Sequence, residues 1–304
     1  MARKANEIQL TNLTDFYKKF PNEVSCHDYL RDERFPDGKV PCTKCGTTEK
    51  IYRLKDGKRY KCGHCKHIFT ITVGTVFEAS HVQLQKWFLA LYIVSAHKKG
   101  ISSLQLHRDL GITQKTAWFM LHRIRFILAN GTMQSQLSGT VEVDETYIGG
   151  KNHRGKTGRG SENKTAVVGL LQRGGEVTSF PVEKVNRETL HEAVLVNVKT
   201  GSNLMTDEFG SYNGLGRTYK HRKVNHGIKE YARGDVHVNS LEGFWSLLKR
   251  GIVGIYHVVS TEHLHRYCEE FNYRYTTRKM HDAVRFQHTF SKCGGRLTYK
   301  ELIG

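Results

Sequence analysis

The spacing of apolar side chains divides the chain into a helical first part and a strand-rich second part. Residues 7–35 carry apolar positions at helical spacing, interrupted at Pro21, which predicts one or two short helices. Residues 82–129 keep a 3.6-residue period and predict three more helices. From residue 139 onward, short runs rich in β-branched residues predict strands. This change of period in a chain of 304 residues predicts more than one domain.

Capping residues separate the three helices predicted between residues 82 and 129. Gly100 ends the first, Ser102 caps the second, and Thr113 caps the third. A short helix, a turn containing glycine and a longer basic helix form the helix-turn-helix pattern, although an ordinary three-helix bundle has the same spacing. In the helix-turn-helix interpretation, the residues that face a DNA groove are Gln114, Lys115, Trp118, His122 and Arg125.

The second part of the chain predicts a mixed α/β sheet. A helix is predicted at 189–198. Gly174 and Gly175 predict the hairpin turn between the second and third strands. The predicted strands are 139–148, 164–172, 176–183, 203–207 and 219–224.

Two Cys-x-x-Cys pairs, separated by sixteen residues, predict a zinc ribbon. A hairpin around Asp56 and Gly57 fills the interval, and a third strand follows at 67–73. Four sulfur ligands complete a tetrahedral site, so the bound Zn²⁺ is expected to be structural and not catalytic. The predicted ligands are Cys42, Cys45, Cys62 and Cys65.

Charge and cysteine usage limit the partners and the compartment. Lysine and arginine total 47 against 29 acidic residues, a net charge of +18, which a polyanionic partner such as DNA explains most simply. No stretch approaches the roughly 20 apolar residues of a membrane span, and no secretory signal is expected. Seven cysteines, an odd number, argue against a disulfide framework and for a reducing compartment. The expected location is the cytoplasm, in association with the nucleoid.

Asp144 and Asp207 each close a short apolar run. In the first run Val141 and Val143 share one face and Glu142 and Asp144 the other, which predicts a strand with one buried face. Asp207 closes the second run. An acidic residue at a strand end is usually solvated, so neither residue alone indicates catalysis.

Glu242 and Lys249 lie seven positions apart in a segment with helical spacing. Leu241, Trp245 and Leu248 recur at i, i+4 and i+7, and Glu242 and Lys249 form a stripe beside them. Two carboxylates at strand ends and one on a helix can converge on two divalent cations. Such a pair activates an attacking oxygen and stabilises a leaving one in phosphodiester chemistry.

Three local motifs, at 143–150, 206–208 and 237–245, are specific in combination. With the order zinc ribbon, helix-turn-helix, strand-Asp, strand-Asp, helix-Glu, they resemble the DDE transposases of bacterial insertion sequences. The chain is most similar to the subgroup with an N-terminal zinc ribbon. The resemblance covers roughly residues 20 to 290.

The resemblance implies a multidomain α+β and α/β protein. Its parts are N-terminal helices with the zinc ribbon, a helix-turn-helix domain, a catalytic domain with an RNase H-like mixed α/β sheet, and a C-terminal tail. The expected boundaries of these four parts are 1–80, 81–134, 135–290 and 291–304.

The resemblance also implies site residues and cofactors. Asp144 and Asp207 are expected to bind catalytic Mg²⁺ or Mn²⁺, and Lys249 to contact DNA near them. The family's third position is Glu or Asn, so both Glu242 and Asn239 are candidates. The 34 residues between Asp207 and Glu242 match the common spacing, and a carboxylate offsets a dication better than an amide, which favours Glu242.

The expected function is transposition. The chain would bind the terminal inverted repeats of an element, cleave the 3′ strand with two Mg²⁺ ions and transfer the 3′-OH into target DNA, as a homodimer or higher oligomer on double-stranded DNA. Arg250 is a further candidate DNA contact. The basic, glycine-rich segment 151–160 predicts either a DNA backbone contact through Lys151 and Arg154 or a hairpin tip. His237 either lines the site or only precedes the helix.

Two alternatives use the same motifs. A nuclease or resolvase on an RNase H-like fold would share the acids but release cut DNA. A DNA-binding regulator derived from a transposase would keep the ribbon and the helix-turn-helix without cleavage.

Overall fold

A computed structural model describes residues 10–129, 135–149, 164–228, 230 and 232–303. Lys151 and Arg154 lie outside the described residues. The helices are α1 (Leu13–Lys19), α2 (Glu23–Arg34), α3 (Leu84–Ala96), α4 (Ser103–Leu110), α5 (Gln114–Ala129), α6 (Arg187–Asn197), α7 (Asn239–Gly251), α8 (Leu264–Thr276), α9 (Asp282–Phe290) and α10 (Tyr299–Ile303). The strands are β1 (Ile51–Arg53), β2 (Arg59–Cys62), β3 (Ile68–Thr70), β4 (Thr140–Gly149), β5 (Lys164–Gln172), β6 (Val177–Val182), β7 (Asn203–Thr206), β8 (Lys220–Lys223), β9 (Ala232–Arg233) and β10 (Val236–His237).

Shorter helical turns connect these elements. No helix in the described ranges has both the length and the apolar character needed to cross a bilayer. A π-helical turn, Ile252–Tyr256, follows α7 directly. The 3₁₀ turns are Gly210–Tyr212, Leu215–Arg217, His226–Ile228 and Thr261–His263.

The described residues form two compact units. Unit 1 takes its residues from 1–97, 101–127 and 280–304, and unit 2 from 98–100 and 128–279. The zinc ribbon and the helix-turn-helix segment therefore share unit 1. Residues 280–290, expected in the catalytic domain, also belong to unit 1.

Aromatic packing explains why the last helices join unit 1. The ring of Phe290 on α9 lies 4.8 Å from Phe88 on α3 and 4.9 Å from Tyr29 on α2, both edge-to-face. Phe20, between α1 and α2, packs 5.1 Å from Phe88. Edge-to-face pairs at these distances stabilise a core beyond the apolar area they bury. The guanidinium of Arg285 adds a hydrogen bond to the carbonyl of Ser95.

The helix-turn-helix segment has the caps that its sequence predicts. The hydroxyl of Ser102 accepts from the backbone N–H of Gln105 at the start of α4. Gly111 ends α4 in the left-handed region, with φ of 58°. The hydroxyl of Thr113 accepts from the N–H of Thr116 in the first turn of α5. The predicted helices and the turn between them are confirmed.

The ribbon forms an antiparallel sheet in the order β1-β2-β3. At the turn between β1 and β2, the carboxylate of Asp56 accepts from the backbone N–H groups of Lys58 and Arg59, each at 3.0 Å. These two bonds close the hairpin around Asp56, as the sequence predicts.

Unit 2 contains a five-stranded sheet in the order β6-β5-β4-β7-β8. Strand β5 runs antiparallel to both of its neighbours, β6 and β4, whereas β4, β7 and β8 run parallel. Helix α6 packs on one face through Leu190 and Val194. Helices α7 and α8 pack on the other face through residues such as Leu241 and Phe271. This is the mixed α/β sheet that the sequence predicts.

The central strand β4 differs from its prediction in two ways. Helices cover both faces of the sheet, so β4 is not half-buried, and the side chain of Glu142 on its supposed solvent face is fully buried. Asp144 is the fifth of the ten residues of β4 and does not lie at the strand end. The period of two identified the strand correctly, but it did not reveal that a helix covers the polar face.

Candidate active site and zinc site

Asp144 and Asp207 lie beyond the same end of the parallel pairing between β4 and β7. Glu142 of β4 pairs with Met205 of β7, 63 positions later in the chain. Asp207 follows Asp144 by the same 63 positions and lies just beyond the end of β7. The paired ladder ends at Glu142 and Met205, so Asp144 and Asp207 each lie two residues beyond its last pair.

Helix α7 lies over the same face of the sheet and carries Glu242 in its first turn. The indole N–H of Trp245 donates to Oδ2 of Asp144 at 3.0 Å, which ties this helix to β4. Opposite Asp144 in β5 is Gly169. A Cβ at Gly169 would lie 2.5 Å from Cη2 of Trp245, so the ring occupies space that only glycine leaves open.

The surroundings of Asp144 raise its pKa. Burial raises the pKa of Asp144 from its ordinary value of 3.8 to about 6. The indole of Trp245 opposes this shift by stabilising the carboxylate, while the negative charges of Asp207 and Glu242 add to it.

Oxygen donors of this kind fit Mg²⁺ or Mn²⁺. Among the described residues, the four thiols of the ribbon are the one set of three or more candidate ligands whose atoms all lie within 4.8 Å of one another. The three carboxylates are thus more widely spread.

The other candidates near the acids lie on the same helix or just before it. Asn239 is the first residue of α7, and its side chain is exposed, as is that of Glu242. Lys249 and Arg250 are exposed in the last turn. His237, in β10, is half-buried, and its Nδ1 lies 3.4 Å from Oε1 of Glu142. The geometry leaves both Glu242 and Asn239 open as the third ligand.

The four ribbon cysteines form a compact sulfur cluster. Sγ of Cys42 lies 3.6 Å from Sγ of Cys65, and Sγ of Cys45 lies 3.7 Å from Sγ of Cys62. Tetrahedral zinc with Zn–S bonds of about 2.3 Å requires sulfur separations of roughly 3.8 Å, so the cluster fits Zn²⁺. All four positions are filled by protein ligands, which makes this a structural site.

Backbone N–H groups prepare one of the thiols for metal binding. Burial opposes ionisation of Cys42, but hydrogen bonds from the backbone of Cys45 and Lys44 outweigh it and lower the pKa of Cys42 to about 6. The thiolate is the form that binds zinc.

The candidate DNA contacts on α5 divide into two groups. Gln114 and Lys115 are exposed and Trp118 is half-buried. His122 and Arg125 are 0% and 2% exposed, so the prediction that they face a DNA groove is wrong. The ring centroids of Trp118 and His122 lie 4.4 Å apart. The buried face of α5 is therefore wider than the positions of its apolar residues indicate.

Three residues of the site have no role in the sequence interpretation. The sequence marks Trp245 only as an apolar position of a helix and Glu142 only as a polar position of a strand. Gly169 carries no signal, because its importance depends on the register of β4 with β5. For Glu142 the one available signal is its place two residues before Asp144, on the same face of a strand.

Comparison with known proteins agrees with the motifs. Residues 136–276 match the family described as ISXO2-like transposase domain, and residues 21–68 match the transposase zinc-ribbon domain. A Halobacterium salinarum protein, described as an uncharacterized protein in transposable element ISH50, is 31% identical over 278 residues, covering 84% of this chain and 92% of the relative. The chain belongs to the ISXO2-like transposase family. The resemblance to zinc-ribbon transposases is therefore confirmed.

Two solved structures are similar to this ISXO2-like transposase at a lower level. They are a pre-cleavage Mos1 transpososome and a Mos1 transposase paired-end complex with left transposon end. Each is 14% identical and covers 69% of this chain and 80% of the other, with TM-scores of 0.25 and 0.27. Similarity at this level supports no inference about this chain.

Proposed function

We propose that this transposase binds the terminal inverted repeats of its element, cleaves the 3′ strand at each end and joins the freed 3′-OH to target DNA. Two observations support the proposal. The parallel pairing of β4 with β7 ends two residues before Asp144 and Asp207, and the hydrogen bond from Trp245 to Asp144 holds the helix that carries Glu242 on that face of β4. Three carboxylates from two parallel strands and a helix are the arrangement expected for two-metal phosphodiester chemistry.

The reaction needs two displacements at phosphorus. In the first, the oxygen of water bonds to the phosphorus at the element end, and the bond to the 3′-oxygen breaks, which leaves a 3′-OH. In the second, that 3′-OH bonds to a target phosphorus and a target 3′-oxygen leaves. Neither step requires an oxidant, a reductant or a nucleotide cofactor.

Asp144, Asp207 and Glu242, with Asn239 as the alternative third ligand, would hold two Mg²⁺ ions. Bound there, the ions would activate the attacking oxygen and stabilise the leaving one. The protein's own contribution is orientation. Trp245 fixes one carboxylate oxygen of Asp144 through its N–H. Lys249 is exposed on α7 and would contact a DNA phosphate.

The net charge of +18 and the exposed start of α5 support binding to double-stranded DNA. In this proposal Gln114 and Lys115 approach the element end, because N-terminal residues of a recognition helix contact base edges. Joining two element ends to one target requires two sites, so we propose a homodimer or higher oligomer on DNA.

The test is incubation of the purified chain with labelled element ends, a plasmid target and Mg²⁺ or Mn²⁺. Asp144→Ala and Asp207→Ala should each abolish joined products while element-end binding stays within about twofold. Glu192→Ala is the matched control, because Glu192 is an exposed acid on α6, which packs on the other face of the sheet. Retained joining in either aspartate variant would refute the assignment.

The same assay separates the two alternatives. A nuclease or resolvase would yield cleaved ends that are never joined to the plasmid. A DNA-binding regulator would bind the ends with no cleavage under any metal condition, and its binding would not change in Asp144→Ala.

A further inference from the structure

The carboxylate of Glu142 is buried against the first turn of α7. Its Oε2 accepts from the backbone N–H of Leu241 at 2.9 Å, and its Oε1 accepts from the hydroxyl of Ser240 at 3.0 Å. Nε of Arg173 donates to the same Oε1 at 2.6 Å. The side chain is 0% exposed, so the surrounding donors replace its contacts with water.

Helix α7 lacks a cap of its own. Its N-cap residue is Val238, which has no side-chain acceptor, and no local side-chain cap bond forms. Helices α2, α4 and α6 are capped by their own Asn22, Ser102 and Asn186. The first N–H groups of a helix need an acceptor, and the positive end of the helix dipole favours an anion. For α7 the carboxylate of Glu142 is both the hydrogen-bond acceptor and the anion, and Glu142 belongs to a strand that is distant in the sequence.

Arg173, just beyond the end of β5, extends the same contact to the segment that precedes α7. Its Nη1 donates to the carbonyl of Asp235 at 2.7 Å and its Nη2 to the carbonyl of His237 at 2.8 Å. The start of α7 is thus held to β4 through Glu142 and to the end of β5 through Arg173.

We propose that Glu142 is a positioning residue for the active site, acting by fixing the first turn of α7 on β4. This inference rests on the proposed function. Glu142 and Asp144 are alternate residues on one face of β4, roughly 7 Å apart along the strand. Glu242 directly follows Leu241, which Glu142 holds. The carboxylate of Glu142 therefore sets where the third acid lies relative to the first two.

The alternative is that Glu142 only stabilises the fold. Glu145 provides the matched control for that role. It lies in the same strand and is buried, but it faces the opposite side, where its carboxylate accepts from the hydroxyl of Tyr212 at 2.8 Å. Glu145→Gln should destabilise unit 2 without moving α7. Glu142→Gln should destabilise unit 2 and also move α7.

Two measurements separate positioning from stability. The first is the Mg²⁺ dependence of cleavage. Glu142→Gln keeps an acceptor for the Leu241 N–H but loses the charge that Arg173 requires. We expect it to lower the rate by about 10-fold to 100-fold and to raise the half-saturating Mg²⁺ concentration several-fold, because a displacement of about 1 Å has effects of this size. Binding of the element end should not change.

The second measurement does not depend on activity. The chain has three tryptophans, Trp87, Trp118 and Trp245, which 5-fluorotryptophan labelling resolves by ¹⁹F NMR, with Trp245→Phe giving the assignment. Glu142→Gln should shift or broaden the Trp245 resonance and leave the other two unchanged. Glu145→Gln should leave the Trp245 resonance at its wild-type position. If Glu142→Gln does not fold, Ser240→Ala removes one donor and should produce a smaller change in the same direction.

The outcomes distinguish the two proposals. A wild-type protein that never cleaves or joins DNA contradicts the proposed function, while the NMR comparison still tests whether Glu142 positions α7. A wild-type protein that joins DNA, with wild-type Mg²⁺ dependence and an unmoved Trp245 resonance in Glu142→Gln, overturns the positioning role. The same result in Ser240→Ala, where Glu142→Gln is unfolded, also overturns it.

Discussion

The indole N–H of Trp245 donates to the carboxylate of Asp144, and the ring lies where Gly169 has no side chain. One residue thus fills the core between helix and sheet and also orients a candidate metal ligand. Because β5 leaves the space that the ring fills, the orientation of the Asp144 carboxylate depends on the buried packing of α7 against β4 and β5.

A methyl group at Gly169 should disturb both packing and chemistry. Gly169→Ala would press on Trp245, and we expect a loss of about 1–3 kcal/mol in the free energy of unfolding together with a large drop in joining activity. Gly243→Ala is the control, because a Cβ there meets nothing within 4 Å on the exposed side of α7. It should leave stability unchanged or raise it by up to about 1 kcal/mol. Equal denaturant midpoints for the two variants would contradict this prediction.

Asp144 should make the metal-free protein less stable as the pH rises. Its pKa is about 6 in the fold against 3.8 ordinarily, so the folded state binds the proton more tightly than the unfolded state. Stability is therefore lost between about pH 4 and pH 6 and stays lower above pH 6, by at most about 3 kcal/mol. Asp144→Asn should remove this loss.

The measurement is thermal unfolding of both proteins in a chelator for Mg²⁺ between pH 4.5 and pH 8. The variant should gain stability over the wild type as the pH rises. Added Mg²⁺ should stabilise the wild type at pH 7.5 and have little effect on Asp144→Asn. Parallel stability curves across this range would show that burial does not penalise the charged form of Asp144.

Zinc should be required for the stability of the ribbon. We expect one zinc per chain by atomic absorption, and Cys62→Ala should lose it and unfold the ribbon, because a structural site contributes folding free energy. Cys26→Ala is the control, since Cys26 is buried in α2 outside the cluster. It should keep its zinc even if it is somewhat less stable. A full zinc content in Cys62→Ala would rule out the four-sulfur site.

The identity of the third ligand can be decided by substituting each of the two candidates. Glu242→Gln removes one charge without changing shape, and we expect it to abolish cleavage, since a carboxylate offsets a dication better than an amide. Asn239→Ala should reduce cleavage by no more than about tenfold. The opposite order of rates, measured at saturating Mn²⁺, would make Asn239 the ligand.

The two groups of residues on α5 should respond differently to alanine. Lys115 is exposed, so Lys115→Ala should weaken element-end binding, lower the slope of log affinity against log salt by about 1 and leave the melting temperature unchanged. Arg125 is buried, so Arg125→Ala should lower the melting temperature instead. Fluorescence anisotropy at several salt concentrations, combined with thermal unfolding, measures both. A salt slope that changes in Arg125→Ala but not in Lys115→Ala would reverse the assignment.

Local patterns predicted most of the fold because local rules determine those elements. Ser102 and Thr113 mark helix starts through hydrogen bonds that span only three residues. The two Cys-x-x-Cys pairs fix the ribbon for the same reason. Strands β9 and β10 were not predicted, since two residues each are too few to show a period.

The contacts that were missed join residues far apart in the sequence. Glu142 and Leu241 are 99 positions apart. The alternation of apolar and polar residues in β4 predicts that Glu142 faces solvent. The burial of Arg125 likewise depends on tertiary packing that no spacing along α5 reveals. The sequence identified the candidate acids by motif, but it gave no information on what holds them in place.

The core of unit 1 has a consequence for the order of synthesis. Phe286 and Phe290 complete an aromatic cluster begun by Phe16 and Phe20, although Phe20 and Phe286 lie 266 positions apart in the chain. The ribosome must finish the intervening sheet before this hydrophobic centre can close. A product released prematurely, ending near residue 279, would leave the rings of Phe20 and Phe88 without their carboxyl-terminal partners. Incomplete chains would then be targets for proteolysis.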